Sequence, residues 1–306
     1  MGKDRIITLL KTLRVNQWIK NLVVFTAIVF TGKLFDADLF LKTLWAFLIF
    51  CVLSSASYVL NDIIDFPFDK KHPVKKMRPI ASGLVTMPEA TFMVFLLTLT
   101  SLILSLFFSI PLFFLSLLFI LLHFFYSLYL KKHPVVDIFA ISFSFMIRTF
   151  AGEVASGYHI PIWLLLTIFF VSLFMATVKR HAELVAHGKE ARPSLYHYKE
   201  HLLDFLTTTF ATITIIAYSF YTYFEKLPDI RTFLSDSFST YFPGFEARKW
   251  MMLTIPFVVY GIARYAQLLY EKEEGERPEK IITTDIPLVA SIGIWAVIVI
   301  SLIYIL

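Results

Sequence analysis

Residues 91–130 read TFMVFLLTLTSLILSLFFSIPLFFLSLLFILLHFFYSLYL and contain no Asp, Glu, Lys or Arg. Ser109, Ile110 and Pro111 divide this stretch into two apolar runs. Each run is about 20 residues long, which is the length of a helix that crosses the hydrocarbon core of a bilayer. The stretch therefore predicts two membrane-spanning helices joined as a tight hairpin.

Similar apolar runs recur along the whole chain of 306 residues. Hydrophobic residues make up 58% of the sequence, charged residues make up 17%, and the mean hydropathy is +0.72. Soluble domains contain about 25% charged residues, so the excess apolar surface indicates contact with lipid. We predict an all-α, polytopic membrane protein with a single domain over residues 1–306. Nine transmembrane helices are expected at about residues 18–33, 39–60, 88–109, 111–130, 135–156, 161–179, 202–224, 250–270 and 286–306.

The positions of the 28 Lys and Arg residues predict the orientation of these helices. Most of them lie in loops on the side of the N-terminus, and cytoplasmic loops are enriched in such residues. We therefore expect a cell-membrane protein (inner or plasma membrane) with its N-terminus in the cytoplasm and its C-terminus outside. The longest external loop, at about residues 226–249, is expected to contain an interfacial helix. Lipid-facing and subunit-facing surfaces look alike in sequence, so a homo-oligomer stays open.

Composition also argues against several classes of protein. The one cysteine, Cys51, lies in an apolar run, so neither a disulfide framework nor a cysteine metal site forms within one chain. The net charge of +5 is small and confined to loops, which disfavours nucleic acid as a partner and fits anionic membrane lipid. A channel or transporter remains an alternative. The concentration of polar residues on one side of the membrane counts against it.

An acidic cluster begins where the second predicted span meets the cytoplasm. Asp62, Asp65 and Asp69 are spaced so that a continuous helix would present them on one face. Carboxylates that converge in this way repel one another unless a cation lies between them, and oxygen ligands suit Mg²⁺. Pro67 is expected to kink the helix or end it near Phe66, which makes Asp62 and Asp65 the firmer pair. An ordinary cytoplasmic loop is the alternative.

Basic residues follow the acidic cluster directly. Lys75, Lys76 and Arg78 are suited to phosphate oxygens, and arginine can bind a phosphate through two parallel hydrogen bonds. The general enrichment of cytoplasmic loops in basic residues explains the same pattern without a ligand.

This part of the sequence resembles the first signature of the UbiA prenyltransferase superfamily. The resemblance is carried by Asn61-Asp62-x-x-Asp65-x-x-x-Asp69, then His72-Pro73 and Arg78-Pro79-Ile80-Ala81-Ser82-Gly83. Further matching segments lie in order along the chain, at Arg14–Asn21, Tyr126–Lys131, Pro134–Asp137, Arg148–Gly152, Lys179–Leu184 and Pro256–Tyr265. The superfamily has nine transmembrane helices. Its usual members join a prenyl diphosphate to an aromatic or lipid acceptor, with Mg²⁺ bridging carboxylates and diphosphate.

At the position of the superfamily's second signature, the sequence resembles one branch of the superfamily more closely. Prenyl-transferring members usually carry a second acidic motif at the end of the sixth span, where this chain has Lys179 and Arg180. The implied branch transfers phosphoribose from phosphoribosyl diphosphate to polyprenyl phosphate, and two phosphate-bearing substrates require more positive charge. Prenyl transfer to an aromatic or lipid acceptor remains the alternative. A basic helix end, with Lys179 and Glu183 as a surface ion pair, is the alternative without a substrate.

The resemblance implies roles for individual residues. Asp62 and Asp65 would hold Mg²⁺ on the diphosphate, with help from Asn61 and Asp69, as the catalytic centre. The residues expected to bind substrate phosphates or ribose, or to orient the substrates, are Arg14, Lys20, Tyr58, Lys75, Arg78, Tyr126, Lys131, Asp137, Lys179 and Arg180. Arg148 lies too deep in its span for easy contact with those phosphates, so a structural pairing with Glu153 is favoured.

Overall fold

The computed structural model describes residues 3–72, 74–187, 198, 200–226, 241, 250–271 and 284–305. Within these ranges every regular element is a helix. The longer elements are α1 (Lys3–Leu13), a 3₁₀ segment (Val15–Phe25), α2 (Thr26–Phe30), α3 (Ala37–Asp69), α4 (Met87–Phe108), α5 (Ile110–Leu128), α6 (Val136–Ser156), α7 (Ile162–His187), α8 (Glu200–Phe224), α9 (Ile255–Glu271) and α10 (Ile286–Tyr304). Short 3₁₀ turns lie at Lys75–Met77, Leu130–Lys132 and Met252–Thr254.

Seven of the described helices are long and apolar enough to cross a membrane, namely α3 to α8 and α10. The other two predicted spans, 18–33 and 250–270, fall on shorter helical elements, so the count of nine stays a prediction. Helix α4 shows what the apolar surface is for. Only 11% of its most apolar window is buried inside the protein, and Phe92, Phe95 and Phe107 are exposed. Together these features identify an integral membrane protein.

The predicted helical hairpin is present. Helix α4 ends at Phe108 and α5 begins at Ile110, so only Ser109 separates them. The Ser109 hydroxyl accepts a hydrogen bond from the backbone N–H of Leu112 at 3.3 Å and caps α5. Pro111 lies in the first turn of α5, where its missing N–H costs nothing. The two helices pack against each other.

The chain divides into two compact units, each with its own core. Unit 1 comprises residues 1–26, 38–131 and 147–157. Its main core packs residues of α3 and α5 against the end of α6, including Phe50, Leu53, Phe119 and Ala151. A smaller core joins Val59 of α3 to the start of α4.

Unit 2 comprises residues 27–37, 132–146 and 158–306. Helices α7 and α8 pack along each other, and α9 packs against α7, α8 and α10. One core contains Leu173, Phe174 and Tyr265. Another contains Tyr218, whose hydroxyl accepts a hydrogen bond of 2.7 Å from the indole N–H of Trp295. Helix α6 contributes its first half to unit 2 and its second half to unit 1.

Helix α3 corrects one expectation from the sequence. The helix does not stop near Phe66 but runs through Pro67 to Asp69. Proline removes one helical hydrogen bond. Only two residues of the helix follow Pro67, and the N–H of Lys70 still bonds to the carbonyl of Phe66 at 3.2 Å. Asp69 therefore belongs to the same helix as Asp62 and Asp65.

Two other expectations concern loops. Helix α7 continues past the predicted end at 179, so the Lys179–Leu184 segment lies within a helix. The expected interfacial helix at 226–249 lies outside the described residues, except for Lys226 and Tyr241. Pro73 and most of the basic loop at 188–199 also lie outside them.

Candidate functional site

The end of α3 that is predicted to face the cytoplasm carries three carboxylates on one polar face. Asp62, Asp65 and Asp69 recur at helical spacing on this one helix, and the side chains of Asp62 and Asp69 are only 4% and 5% exposed. Buried carboxylates are unfavourable unless they are paired or hydrogen-bonded. Their partners therefore define the site.

Two arginines hold Asp62 and Asp69. Arg14 Nη2 donates to Asp62 Oδ1 at 2.5 Å, and Arg78 Nη1 donates to the same oxygen at 3.0 Å. Arg78 Nη1 also donates to Asp69 Oδ2 at 2.6 Å. The guanidinium group of Arg78 thus bridges two carboxylates that lie two turns apart on α3.

A lysine and an amide hold Asp65. Lys131 Nζ donates to Asp65 Oδ1 at 2.5 Å, and Asn61 Nδ2 donates to Asp65 Oδ2 at 2.9 Å. The Asn61 amide oxygen accepts hydrogen bonds of 3.2 Å from Lys131 Nζ and from the Ser127 hydroxyl. Both oxygens of Asp65 and both ends of the Asn61 amide are therefore oriented by neighbours.

We call this group the unit 1 carboxylate cluster; it comprises Asn61, Asp62, Asp65, Asp69, Arg14, Arg78 and Lys131. Three carboxylates face three cations, so the charges balance. The donor set is chemically suited to Mg²⁺, which prefers carboxylate and amide oxygens. In the described part of the chain, no three His, Cys, Asp or Glu side chains are gathered so that they could hold a metal ion together. That arrangement fits a Mg²⁺ held by one or two carboxylates plus substrate phosphates.

Arg14 reaches the cluster from the start of the 3₁₀ segment. Its backbone adopts φ 50°, ψ 48°, in the left-handed region, and its Cζ lies 5.2 Å from the centre of the Tyr58 ring. Burial disfavours the charged guanidinium, but Asp62, together with Tyr58 and Asp69, outweighs it and raises the pKa of Arg14 above its usual value. The residue is therefore a permanent cation at this position.

Polar contacts attach the 3₁₀ segment to α3. The Trp18 indole N–H donates to Ser55 Oγ at 3.0 Å, and the Tyr58 hydroxyl donates to Gln17 Oε1 at 3.5 Å. Runs of 3₁₀ helix longer than 3–4 residues are uncommon, and this one spans 11 residues. The side-chain contacts along its length hold it in place and so hold Arg14 at Asp62.

Arg148 holds the same segment from the second half of α6. Its Nε donates to Asn21 Oδ1 at 2.6 Å, its Nη2 lies 3.4 Å from Ser54 Oγ, and its Cζ lies 4.6 Å from the centre of the Phe119 ring. One turn later, a Cβ at Gly152 would overlap the backbone carbonyl of Val24. Both motif residues therefore keep α6 close to the 3₁₀ segment.

Unit 2 contains a second ionic group, which we call the unit 2 arginine cluster and which comprises Asp137, Arg180, Glu183 and Tyr198. Arg180 Nε donates to Asp137 Oδ2 and Arg180 Nη1 to Glu183 Oε2, both at 2.7 Å. The side chains of Arg180 and Asp137 are 1% and 0% exposed. The Tyr198 hydroxyl donates to Asp137 Oδ1 at 2.7 Å.

Tyr198 also fixes the turn that precedes α6. Its hydroxyl accepts a hydrogen bond of 2.5 Å from the N–H of Val135, a residue with φ 68°. A β-branched residue in this left-handed region is strained, so the surrounding contacts must hold it. Burial raises the pKa of the Tyr198 phenol, and the neighbouring Asp137 carboxylate adds to the effect. The phenol therefore remains a neutral donor to Asp137.

The predicted site residues fall into three groups. The unit 1 carboxylate cluster brings together Arg14, Arg78 and Lys131 with the predicted catalytic and metal-binding residues, and Tyr58 adjoins it. Asp137 and Arg180 lie in the unit 2 arginine cluster. The others are partly exposed at separate elements: Lys20 on the 3₁₀ segment, Lys75 in a 3₁₀ turn, Tyr126 on α5 and Lys179 on α7.

Three contributors were not predicted. Ser127 lies inside the quoted Tyr126–Lys131 motif, and its position one turn before Lys131 could have suggested that both side chains meet Asn61. The sequence carries no comparable signal for Tyr198 or for Gln17 as a partner of Tyr58. The structure also shows which contacts His72 makes. Its Nδ1 accepts hydrogen bonds of 3.2 Å from the N–H groups of Val74 and Lys75. That nitrogen caps a turn.

Seven apolar helices and a charge-balanced polar cluster at the end of one of them define a helical membrane protein with an ionic site. The chain belongs to the UbiA prenyltransferase family, whose model matches residues 22–284. It is similar to the decaprenyl-phosphate phosphoribosyltransferases of Mycolicibacterium smegmatis and Corynebacterium glutamicum. The identity is 35% over 92% of this chain and 88% of the first relative, and 31% over 97% of this chain and 87% of the second. The protein is therefore an enzyme of the transferase class.

Solved structures share the fold of this chain. A UbiA homologue from Archaeoglobus fulgidus bound to GPP and Mg²⁺ matches with a TM-score of 0.68, 16% identity and coverage of 96% of this chain and 97% of that one. A digeranylgeranylglyceryl phosphate synthase structure matches with a TM-score of 0.61 and 20% identity, over 97% of this chain and 98% of that one. Since both identities are low, these likenesses show the fold alone.

Proposed function

We propose that this protein transfers 5-phosphoribose from phosphoribosyl diphosphate to a polyprenyl phosphate of the decaprenyl type and releases diphosphate. The names of the two relatives, which match almost the whole chain, support this reaction. The observation that carries it in the structure is the unit 1 carboxylate cluster, which places metal-type oxygen ligands beside three phosphate-type cations.

Asp62 and Asp65 are the proposed ligands for Mg²⁺, with Asn61 and Asp69 beside them. Their hard oxygen donors fit this ion, and substrate phosphates complete its coordination in many enzymes. When bound, Mg²⁺ supplies neutralisation of the charge that builds on the leaving diphosphate. The solved family member bound to GPP and Mg²⁺ agrees with such a requirement.

Arg14, Arg78 and Lys131 are the proposed ligands for the diphosphate. The bond between ribose C1 and the diphosphate oxygen breaks, and these side chains stabilise the electron pair that leaves with that oxygen. A new bond forms between C1 and an oxygen of the lipid phosphate. That oxygen is already anionic, so the chain needs no dedicated general base. The apolar surface of the helices offers the polyprenyl tail a place beside the membrane lipid.

The unit 2 arginine cluster has a different proposed task. Arg180 is enclosed by Asp137 and Glu183, so we assign it to holding Asp137 rather than to a phosphate. Asp137 is 0% exposed and both of its carboxylate oxygens accept hydrogen bonds from Arg180 and Tyr198, so we assign it to holding this cluster together rather than to the ribose hydroxyls expected from the sequence. The adjacent Lys179 is partly exposed on the same helix and is the stronger candidate for a phosphate contact.

The proposed topology has nine transmembrane helices, a cytoplasmic N-terminus and an external C-terminus, with the site at the cytoplasmic face of the cell membrane. The distribution of Lys and Arg supports it. A reporter fused at residue 306 should be external and one inserted near residue 189 cytoplasmic. Two reports from the same side would contradict this topology.

The direct test uses purified protein, labelled phosphoribosyl diphosphate and polyprenyl phosphate, with and without Mg²⁺. We expect a labelled lipid product that depends on both substrates and disappears with excess chelator. The competing reaction pairs a prenyl diphosphate with an aromatic or lipid acceptor. A protein that turns over this pair and ignores phosphoribosyl diphosphate would refute the proposal.

A further inference from the structure

Every carboxylate of the unit 1 carboxylate cluster already has a cation as its partner. The ion pairs are Asp62 with Arg14 and Arg78, Asp69 with Arg78, and Asp65 with Lys131. Their N···O distances are 2.5–3.0 Å. A divalent cation that approaches Asp62 and Asp65 therefore meets like charges beside its ligands. Like charges a few ångströms apart repel, and the repulsion weakens binding of the metal by itself.

The same ion pairs also weaken the binding of diphosphate in the absence of the metal. A phosphate oxygen that approaches Arg14 or Arg78 also approaches Asp62, which is only 4% exposed and negatively charged. An arginine that turns to bind the diphosphate through two parallel hydrogen bonds loosens its contact with the carboxylate. Breaking one half of a buried ion pair leaves an uncompensated charge, which is strongly unfavourable.

Binding the metal and the diphosphate together avoids both costs. The carboxylates can then pair with the metal while the cations pair with the phosphates, so that no charge is left without a partner. In the described residues no three His, Cys, Asp or Glu side chains are gathered for one ion, so the carboxylates offer a metal only part of its coordination. The diphosphate supplies the remaining oxygens.

The structure also indicates which side of each pair moves. The carboxylates have short side chains on one helix, α3, and Asp62 and Asp69 are buried. Arg14 and Arg78 have long side chains that are 25% and 27% exposed, and they come from the 3₁₀ segment and from the end of a short 3₁₀ turn. These two arginines can turn towards a ligand while the helix stays in place.

We infer that Arg14, Arg78 and Lys131 are resident counter-ions that exchange partners, so that the metal and the diphosphate bind this cluster cooperatively. The inference rests on the proposed site and deepens it. Cooperativity of this kind is reciprocal: diphosphate must tighten metal binding by the same factor as metal tightens diphosphate binding. A site that binds neither ligand well alone is selective for the complete metal–diphosphate substrate.

The inference predicts that one substitution in the site strengthens metal binding instead of weakening it. Arg78→Gln removes a positive charge that bridges Asp62 and Asp69, so it should tighten metal binding in the absence of diphosphate. The expected factor is about thirtyfold, the effect of one unit charge on a divalent ion at about 4 Å in a well-solvated site. The same change should reduce the tightening that diphosphate produces, because one phosphate ligand is lost.

The test titrates Mn²⁺, as a probe for the metal site, into detergent-purified protein and follows free Mn²⁺ by electron paramagnetic resonance. Titrations are run with and without inorganic diphosphate, and a protein-free titration corrects for the complex formed in solution. We expect diphosphate to tighten Mn²⁺ binding by wild-type protein at least about tenfold, a typical coupling between two ligands. Arg78→Lys keeps the charge and should behave as wild type for Mn²⁺ alone.

Arg5→Gln is the matched control, since Arg5 pairs with exposed Glu89 at 2.5 Å, away from the carboxylate cluster. It should leave both titrations unchanged. If Arg78→Gln does not fold, as judged by thermal unfolding in detergent, Lys131→Gln makes the same test at Asp65. Unchanged or weaker binding of Mn²⁺ alone by the folded neutral variant, or no effect of diphosphate on wild type, would overturn the inference.

Inorganic diphosphate keeps this test separate from the identity of the substrate. If wild type shows the partner exchange but transfers no phosphoribose, the proposed reaction fails and the exchange stands. If wild type transfers phosphoribose but binds Mn²⁺ equally well with and without diphosphate, the exchange fails and the reaction stands.

Discussion

The two ionic clusters use the same residue types under different degrees of burial. In the unit 2 arginine cluster, Arg180 and Asp137 are 1% and 0% exposed and are closed in by Glu183 and Tyr198. In the unit 1 carboxylate cluster, Asp62 and Asp69 are buried, but Arg14, Arg78 and Asp65 are about one quarter exposed. A sealed pair can only hold its neighbours in place, whereas a cation with access to solvent can meet a ligand. The following predictions test that contrast.

The largest effect is expected at the carboxylates of unit 1. Asp62→Asn and Asp65→Asn each keep the side-chain shape but remove a charge from the proposed metal site. We expect each to lower kcat/KM for phosphoribosyl transfer at least about 10³-fold, the upper end for removal of one preorganised electrostatic group. Asp38→Asn is the control, because Asp38 pairs with Lys42 at 2.6 Å on an exposed surface. Full activity of the Asp65 variant would remove the metal-site proposal.

Arg180→Ala should act mainly on stability. It leaves Asp137 buried without its cation, and removing one partner of a buried pair costs about 3–5 kcal/mol. The measurement is thermal or denaturant unfolding in detergent, compared with wild type. Arg180→Lys should recover only part, because one ammonium group cannot reproduce both contacts of the guanidinium group. If the alanine variant is as stable as wild type and is defective only in substrate binding, Arg180 is a phosphate ligand and not a structural residue.

Lys179→Ala should show the opposite pattern to its neighbour. Lys179 is partly exposed whereas Arg180 is buried, so its loss should cost clearly less stability than the loss of Arg180. If it contacts a substrate phosphate, kcat/KM should fall at least about tenfold through the loss of one charge-assisted hydrogen bond. Steady-state kinetics together with an unfolding curve separate the two effects. Wild-type kinetics would leave Lys179 as part of the basic helix end.

Tyr198→Phe should give the smallest effect. It removes one hydroxyl that joins Asp137 Oδ1 to the N–H of Val135. A typical hydrogen bond contributes about 0.5–1.5 kcal/mol, and one to a charged group about 1.5–3 kcal/mol. We expect a loss of stability of about 2 kcal/mol, smaller than that of Arg180→Ala. An equal or larger loss would mean that Tyr198, rather than Arg180, holds this cluster together.

Local patterns in the sequence predicted much of the fold. The apolar runs located the seven long helices, and Ser109 with Pro111 located the hairpin, because span length and chain interruptions depend on neighbouring residues alone. The same local rule wrongly predicted that the helix could end near Phe66, because it continues to Asp69; the kink that the rule also allowed stays a prediction. The cost of a proline arises in the turn before it, and the local rule leaves out tertiary contacts such as the ion pair between Asp69 and Arg78.

The candidate site was predictable only in part. Asp62, Asp65 and Asp69 share a face because they share a helix. The sequence identified Arg14, Arg78 and Lys131 as cations but could not match each of them to a carboxylate. It likewise named Asp137 and Arg180 separately, without indicating that they pair. The catalytic and binding roles of all these residues stay predictions.

The sequence by itself determined that the chain is a helical membrane protein of this family, and that three carboxylates line one helix. The membrane helices and the shared helix face follow from composition, run length and helical periodicity, and the family follows from the resemblance of short motifs; all of these are properties of neighbouring residues. Only the tertiary structure decided that Arg14, Arg78 and Lys131 balance those carboxylates, and that Arg180 is sealed against Asp137. Ion pairing depends on which side chains the packing of distant segments brings within about 4 Å of each other, and spacing along the chain does not encode that.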